Sequence, residues 1–242
     1  VVVFFGPKHE EVRRIVTHEL GDWGADWKAG RNKEAKCPRM TGKNGFKPLV
    51  KPIFSHRQRK GISQYNVVIG YPTESYMSND TEALKILASI LGDRMYKHLR
   101  HNNFEYGKGI YHPGVDTEFT TAHGMIYLHF STTNRQFANH GVGMFVMECR
   151  RLSRELIPRT ELEARILYMH DYEFIEPFST LTGELAVNVI NAVSCGDTKL
   201  TKFHARGKKL KSFLNRGGRE KLREVASKYL SGHNATVLFE PK

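Results

Sequence analysis

With 242 residues, 40% hydrophobic and 26% charged, the chain has the composition of a soluble globular protein, long enough for one large domain or two small ones. No run reaches the ~18 apolar residues of a membrane span, the opening VVVFFGPKHEE is too short and wrongly flanked for a signal peptide, and three cysteines (Cys37, Cys149, Cys195) are too few for a disulfide framework. The formal charge of +12 is uneven: residues 28–60 carry eleven Lys or Arg against Glu34 alone, while residues 1–27 sum to −2 and residues 61–242 to +4.

In chain order, VVVFFGPKHEEVRRIVTHELGDW reads as a buried strand and then a helix, with Pro7 in the first turn, Glu10 and Glu11 at its positive end and Gly21 as the stop. Residues 28–60 follow as a basic linker, where Pro38, Pro48 and Pro52 oppose regular structure. A solvated linker accounts for that charge; contact with a polyanion is the other reading.

From Gly61 the pattern tightens. SQYNVVIGYP is a strand, and NDTEALKILASILGDRMYKHL is a helix with Leu84, Leu87, Leu91, Met95 and Leu99 on one stripe and Asn79 or Asp80 as its cap. Strands are expected near 106–112 and over GMIYLHFST. The next helix begins near Asn134; Ala138, Val142, Phe145, Cys149, Leu152 and Leu156 step by four and three, which makes Cys149 a buried thiol. Pro158 opens a further helix that Pro177 interrupts, and STLTGELAVNVINAV, KLTKFHARGKKLKSFL and GREKLREVASKYL are helical. ATVLFEPK closes the chain as a strand. Its likeness to VVVFFGPK suggests a repeat, with each strand closing one copy of a domain and the first copy represented only by its end.

This order of one strand, a long helix, antiparallel strands, several helices and a final strand is similar to half of a pitrilysin/insulinase-type zinc peptidase. That family includes the mitochondrial processing peptidase and the inactive core subunits of ubiquinol–cytochrome c reductase. DTEALKILASILGDRMYKHLR resembles the family's helix with its Leu-Gly step and Leu-Arg ending, and LRHNNFEYGKG its arginine-to-tyrosine segment. ELEARILYM resembles the start of a later helix, and LREVASKYLSGHNATVLFEP the closing helix and strand. The resemblance implies an α+β fold, an antiparallel sheet with helices on one face (a processing-peptidase/LuxS-like metallohydrolase domain). It divides the chain into the closing strand and helix of a preceding homologous domain (1–27), the basic linker (28–60) and a substrate-clamping C-terminal domain (61–242).

In that family, zinc sits in the other half, on a helix bearing His-x-x-Glu-His, which puts two imidazoles on one face and leaves the glutamate to deprotonate water. Neither that order nor His-Glu-x-x-His occurs here: PKHEEVRR and VTHELGD each lack the second histidine, and His98 with His101 has no glutamate between. The expectation is therefore no metal and no cofactor bound by this chain, no catalytic residue of its own, and zinc in a partner half.

What the resemblance assigns to this half is Arg100 with Tyr106, which would hold the peptide backbone and the developing oxyanion across a chamber. They are six apart where the family's usual spacing is seven, so Tyr111 is the fallback phenol. From the residues alone, Arg100 complements a helix C-terminus and Tyr106 is a half-buried strand aromatic; both readings stay open at this point. The implied partners are a peptide or protein substrate and a zinc-bearing N-terminal half or partner subunit, in a dimer or clamshell; nucleic acid is not expected, because the basic stretch RGKKLKSFLNRGGREK has no base-reading motif beside it. Buried thiols fit a reducing compartment, the cytoplasm or mitochondrial matrix; the sequence carries no address. The other function these features allow is a catalytically inactive structural or assembly subunit of the same fold.

Overall fold

The computed structural model describes residues 9–20, 46–101, 109–170, 183–197 and 199–242. The opening strand, most of the basic stretch and Tyr106 lie outside them. In chain order the elements are α1 (His9–Leu20), β1 (Ile53–Arg59), β2 (Tyr65–Thr73) and α2 (Thr81–Tyr96), which runs into a π-helical turn (Lys97–His101). Then come β3 (Ile110–Phe119), β4 (Gly124–Thr132), α3 (Arg135–Arg154), α4 (Arg159–His170), α5 (Gly183–Ser194), α6 (Thr201–Ser212), α7 (Gly218–Leu230) and β5 (Ala235–Pro241).

The five strands form one sheet in the order β1-β5-β2-β4-β3. β4 alternates strictly, with Ile126, Leu128 and Phe130 buried and Met125, Tyr127, His129 and Ser131 on the opposite face. α2, α3, α4, α6 and α7 lie on the Ile126 side, so the fold is α+β with a helical layer on one face of the sheet. α2 lies at the centre of that layer and is buried on more than one stripe: Leu84, Leu87, Leu91, Met95 and Leu99, but also Ile86 and Ile90, are fully inaccessible. Each such side chain stabilises the fold by about 1.5–3 kcal/mol. α3 packs against β2, β4 and α7, and Gly141 lets it approach the sheet closely. A Cβ there would stand 2.5 Å from Phe130 Cζ, so the first glycine of the Gly-x-Gly in NHGVGMF is a helix-to-sheet contact, while Gly143 is exposed with nothing near it.

Three expectations change. Residues 53–59, expected in the linker, form β1, which pairs in parallel with β5 from Ile53↔Ala235 to Arg59↔Pro241. Their basic, exposed side chains look like linker because β1 is an edge strand, where charge discourages pairing with other chains. Phe46, also expected in the linker, packs on the domain, its ring meeting that of Tyr229 edge-on at 4.7 Å. The sheet is accordingly antiparallel except for this one pair. Finally, the strand expected near 106–112 is β3, which runs on to Phe119; a register break between Tyr111 and Gly114 hides the continuation past Pro113, and residues 106–108 lie outside the described residues.

Asp80 stands at the N-cap position of α2 but makes no capping bond to it. Its Oδ2 instead accepts from Tyr229 Oη (3.0 Å) and Lys228 Nζ (3.1 Å), with Lys221 Nζ 3.5 Å from Oδ1. Lys228 also reaches Glu74 at 2.8 Å, so α7 is tied to the β2–α2 connection. Burial alone would raise the Asp80 carboxyl, but the Lys228 and Tyr229 hydrogen bonds and the lysine charges outweigh it and hold it below the usual carboxylate range. A lowered native value means the stabilisation is present above the unfolded carboxylate pKa of about 3.9 and disappears as pH falls through the native value. Asp80→Ala should cost about 1–3 kcal/mol at neutral pH. In urea titrations, that difference should shrink as pH falls below 4; a gap that does not change with pH would contradict the assignment.

Candidate functional site

The segment that carries Arg100 is built on a buried anchor. α2 widens into the π-helical turn at Lys97–His101, and within that turn Leu99 is wholly buried while Arg100 is exposed. Extra-wide turns of this kind recur at functional sites because they displace a side chain from the regular helical register. Arg100 Nη1 donates to the carbonyl of Ile110 at 2.6 Å, which brings the arginine to the first residue of β3. Tyr106 falls outside the described residues. Tyr111 follows Ile110 directly and pairs with Ser131, which puts its half-buried side chain on the sheet face away from the helices. Arg100 and the backbone of the fallback phenol are thus adjacent, with the phenol turned toward the open face.

Just beyond, His112 adopts φ +50°, a left-handed conformation, inside the register break that ends at Gly114. Such a residue carries about 1–3 kcal/mol of strain. The run His112-Pro113-Gly114 is the sequence signal for it, since Pro and Gly together mark a break in strand pairing. Further along the open face, His129 Nε2 lies 2.9 Å from Asp116 Oδ2. Tyr127 stands next to them: its phenol is pushed up by burial and by the charges of Asp116 and Glu118.

Below the π turn is an ion cluster that sequence reasoning missed. Arg94 grips Glu161 with two parallel bonds, Nε to Oε1 and Nη2 to Oε2, both 2.8 Å, and gives Nη1 to Glu148 Oε2 at 3.0 Å. Glu148 is 1% exposed and its other oxygen lies 3.3 Å from His98 Nε2 and 3.8 Å from Arg151 Nη1. The Glu161 hydrogen bonds, opposed by burial, raise the arginine's already high pKa. The signal was present: Glu148 occupies the apolar stripe of α3 between Phe145 and Cys149, and a carboxylate on a core face requires a cation.

Of the His98/His101 pair, His98 turns to Glu148. Among the described residues, no three His, Cys, Asp or Glu side chains converge as a metal ion requires. The two cysteines described, Cys149 and Cys195, are free and buried. Much of the basic charge on α6 and α7 serves the protein itself: Arg206 lies 3.4 Å from Glu82, Lys209 donates to Asn79 O at 3.0 Å, and Arg219 donates to Ile157 O at 2.6 Å. Among the described residues, no helix is long and apolar enough to cross a membrane.

The comparisons with known proteins agree on one fold. The model of the peptidase M16 inactive domain matches residues 1–166. Solved structures of similar fold include a protease from Helicobacter pylori (15% identity, TM-score 0.64, covering 78% of this chain and 44% of that one). A peptidase M16 inactive domain from Pseudomonas fluorescens is another (14%, 0.62, 82% and 45%). So is a chain of complex III2 from Candida albicans (12%, 0.62, 81% and 48%). At these identities the likeness is one of fold, and this chain spans a little under half of each matched chain. No curated protein matches.

Proposed function

Because this chain belongs to the peptidase M16 family through its inactive domain, we propose that it serves as the non-zinc half of a zinc metallopeptidase. It closes the chamber and positions a peptide for hydrolysis at a zinc held by another domain or chain. Arg100 carries the reading. A fully buried leucine and a bond to the β3 backbone hold its guanidinium at a helix end, where a fixed cation can meet charge that develops on a scissile carbonyl. Tyr106, with Tyr111 as the fallback, supplies the phenolic donor. The partners are a peptide or protein substrate and a zinc-bearing half, covalent or separate. The buried free thiols Cys149 and Cys195 support a reducing compartment.

A second reading, a catalytically inactive scaffold, is favoured by the bond from Arg100 to Ile110, a use of the guanidinium that needs no substrate. The matched chain of complex III2 supports it as well. Reconstitution separates the two. The chain is mixed with a zinc-bearing half, and cleavage of a quenched fluorescent peptide is followed with and without it. Cleavage that requires both components is the expected result; a zinc-bearing half equally active alone would leave the scaffold.

A further inference from the structure

The corner where β1 enters the sheet is apolar and basic at once. Ten large apolar side chains stand exposed among the described residues, and three of them fall within five positions: Val50 (94%), Ile53 (48%) and Phe54 (65%). Single exposed apolar residues are ordinary, but a contiguous group rimmed by charge marks an interaction surface. Lys47 and Lys51 interleave with the three, and Arg57, Arg59 and Lys60 follow on β1 and the turn after it. Between Glu34 and Glu74 the sequence has no acidic residue. None of these five cations has an acidic partner among the described residues, and Glu240, the only acid on β5, is held by His56 and Tyr65.

The corner is tied to the domain at several points. Leu49 pairs with His233 in an isolated antiparallel bridge, Phe46 packs edge-on against Tyr229, and Ile53 N–H donates to Asn234 O at 3.0 Å. Pro48 and Pro52 fix the backbone on either side of Val50. Neighbouring strand residues face opposite ways, so Ile53 and Phe54 flank the sheet edge, and Val50 in the bend before them is almost wholly bare. Apolar side chains on both sides of an edge make a convex corner. A protein partner would have to supply a matching hollow, and a DNA duplex offers aliphatic side chains no open base to stack on. A fluid lipid surface closes around such a corner and answers its charge as well.

We propose that this corner attaches the protein reversibly to an anionic lipid surface. Val50, Ile53 and Phe54 enter the boundary between headgroups and acyl chains, while Lys47, Lys51 and Arg57 meet the anionic headgroups around them. Each basic residue held near an anionic leaflet contributes roughly fivefold to the affinity. The backbone of β1 stays at the hydrated headgroup level, because its outer edge has no strand partner and its polar groups would be costly in hydrocarbon. The inference depends on neither Arg100 nor a zinc partner, so it stands or falls separately from the proposed function.

The test is co-sedimentation of the full chain with vesicles of phosphatidylcholine alone and of phosphatidylcholine with one third phosphatidylserine. Binding to the second only, weakened by added salt, is the expected result. Val50→Ser combined with Phe54→Ser keeps every charge and should lower the affinity at least tenfold. Lys51→Glu combined with Arg57→Glu keeps the apolar group and should lower it as much. Phe54→Trp should bind more tightly, because an indole is favoured at the membrane interface. All four positions are exposed, so each variant should unfold at the same urea concentration as the parent. No binding to the anionic vesicles would overturn the proposal. So would a serine pair that binds normally, which would mean attraction by charge alone, as duplex DNA or an acidic protein would feel it. A glutamate pair that binds normally would overturn it too, since the attraction would then come from other basic residues.

Discussion

In a complex with a zinc-bearing half, Arg100→Ala lowers peptide turnover by on the order of a hundred- to a thousand-fold, the loss typical when one donor to a developing oxyanion is removed, ~2.7–4 kcal/mol. The structure sets the control. Arg100 also donates to Ile110 O, so the same substitution removes a charge-assisted hydrogen bond worth about 1.5–3 kcal/mol of stability. Turnover measured well below the unfolding transition separates the two effects, because a folded but less stable enzyme keeps its rate. Arg100→Lys retains the charge without the planar fork and falls in between. Tyr106→Phe and Tyr111→Phe run alongside, and the phenol that faces the chamber is the one whose loss slows turnover. If all of these variants turn over normally in an active complex, the clamp is wrong and Arg100 is a helix-end tie to β3.

Glu148→Ala costs about 3–5 kcal/mol of unfolding free energy, the penalty for stripping one partner from a buried ion cluster. Glu148 is 1% exposed and answers Arg94, His98 and Arg151 at once, so its loss leaves Arg94, on α2, with only Glu161 of its two carboxylate partners. Arg151→Ala removes the most exposed member of the cluster (53%), 3.8 Å from Glu148, and should cost no more than about 1 kcal/mol. Equilibrium urea unfolding reads both, as a large fall in midpoint for the first and a small one for the second. A Glu148→Ala cost near that of Arg151→Ala would mean that water reaches the cluster.

How much of this was legible depended on where each residue sits. α2 and α3 were readable because their apolar residues recur at helical spacing, and β4 because one face is buried and the other is not. β1 was not, since IFSHRQR lies on an edge and its partner Ala235–Pro241 is remote in sequence. The end of β3 was misplaced because a register break with a left-handed His112 interrupts the two-residue period. At the site, Arg100 was legible as a helix-end arginine, but its bond to Ile110 depends on the path of the intervening chain. The Arg94–Glu148–Glu161 cluster joins three helices, a relation no local window contains.

The position of β5 has a consequence for how the protein is made. It is threaded between β1 and β2, and its Val237 follows the paired Val68 by 169 residues and the paired Ser55 by 182. Until that segment emerges from the ribosome, β2 has an open edge on the β5 side, and β1 has no place in the sheet. The β2–β4–β3 ladder and α2 can form early, from contacts close in sequence, but closure waits on the slowest kind of pairing. Over that interval Val67 and Ile69 lie at an exposed strand edge, the kind of surface chaperones bind and aggregation starts from. The charged face of β1, which keeps the finished edge from pairing, offers no protection to β2 in the meantime.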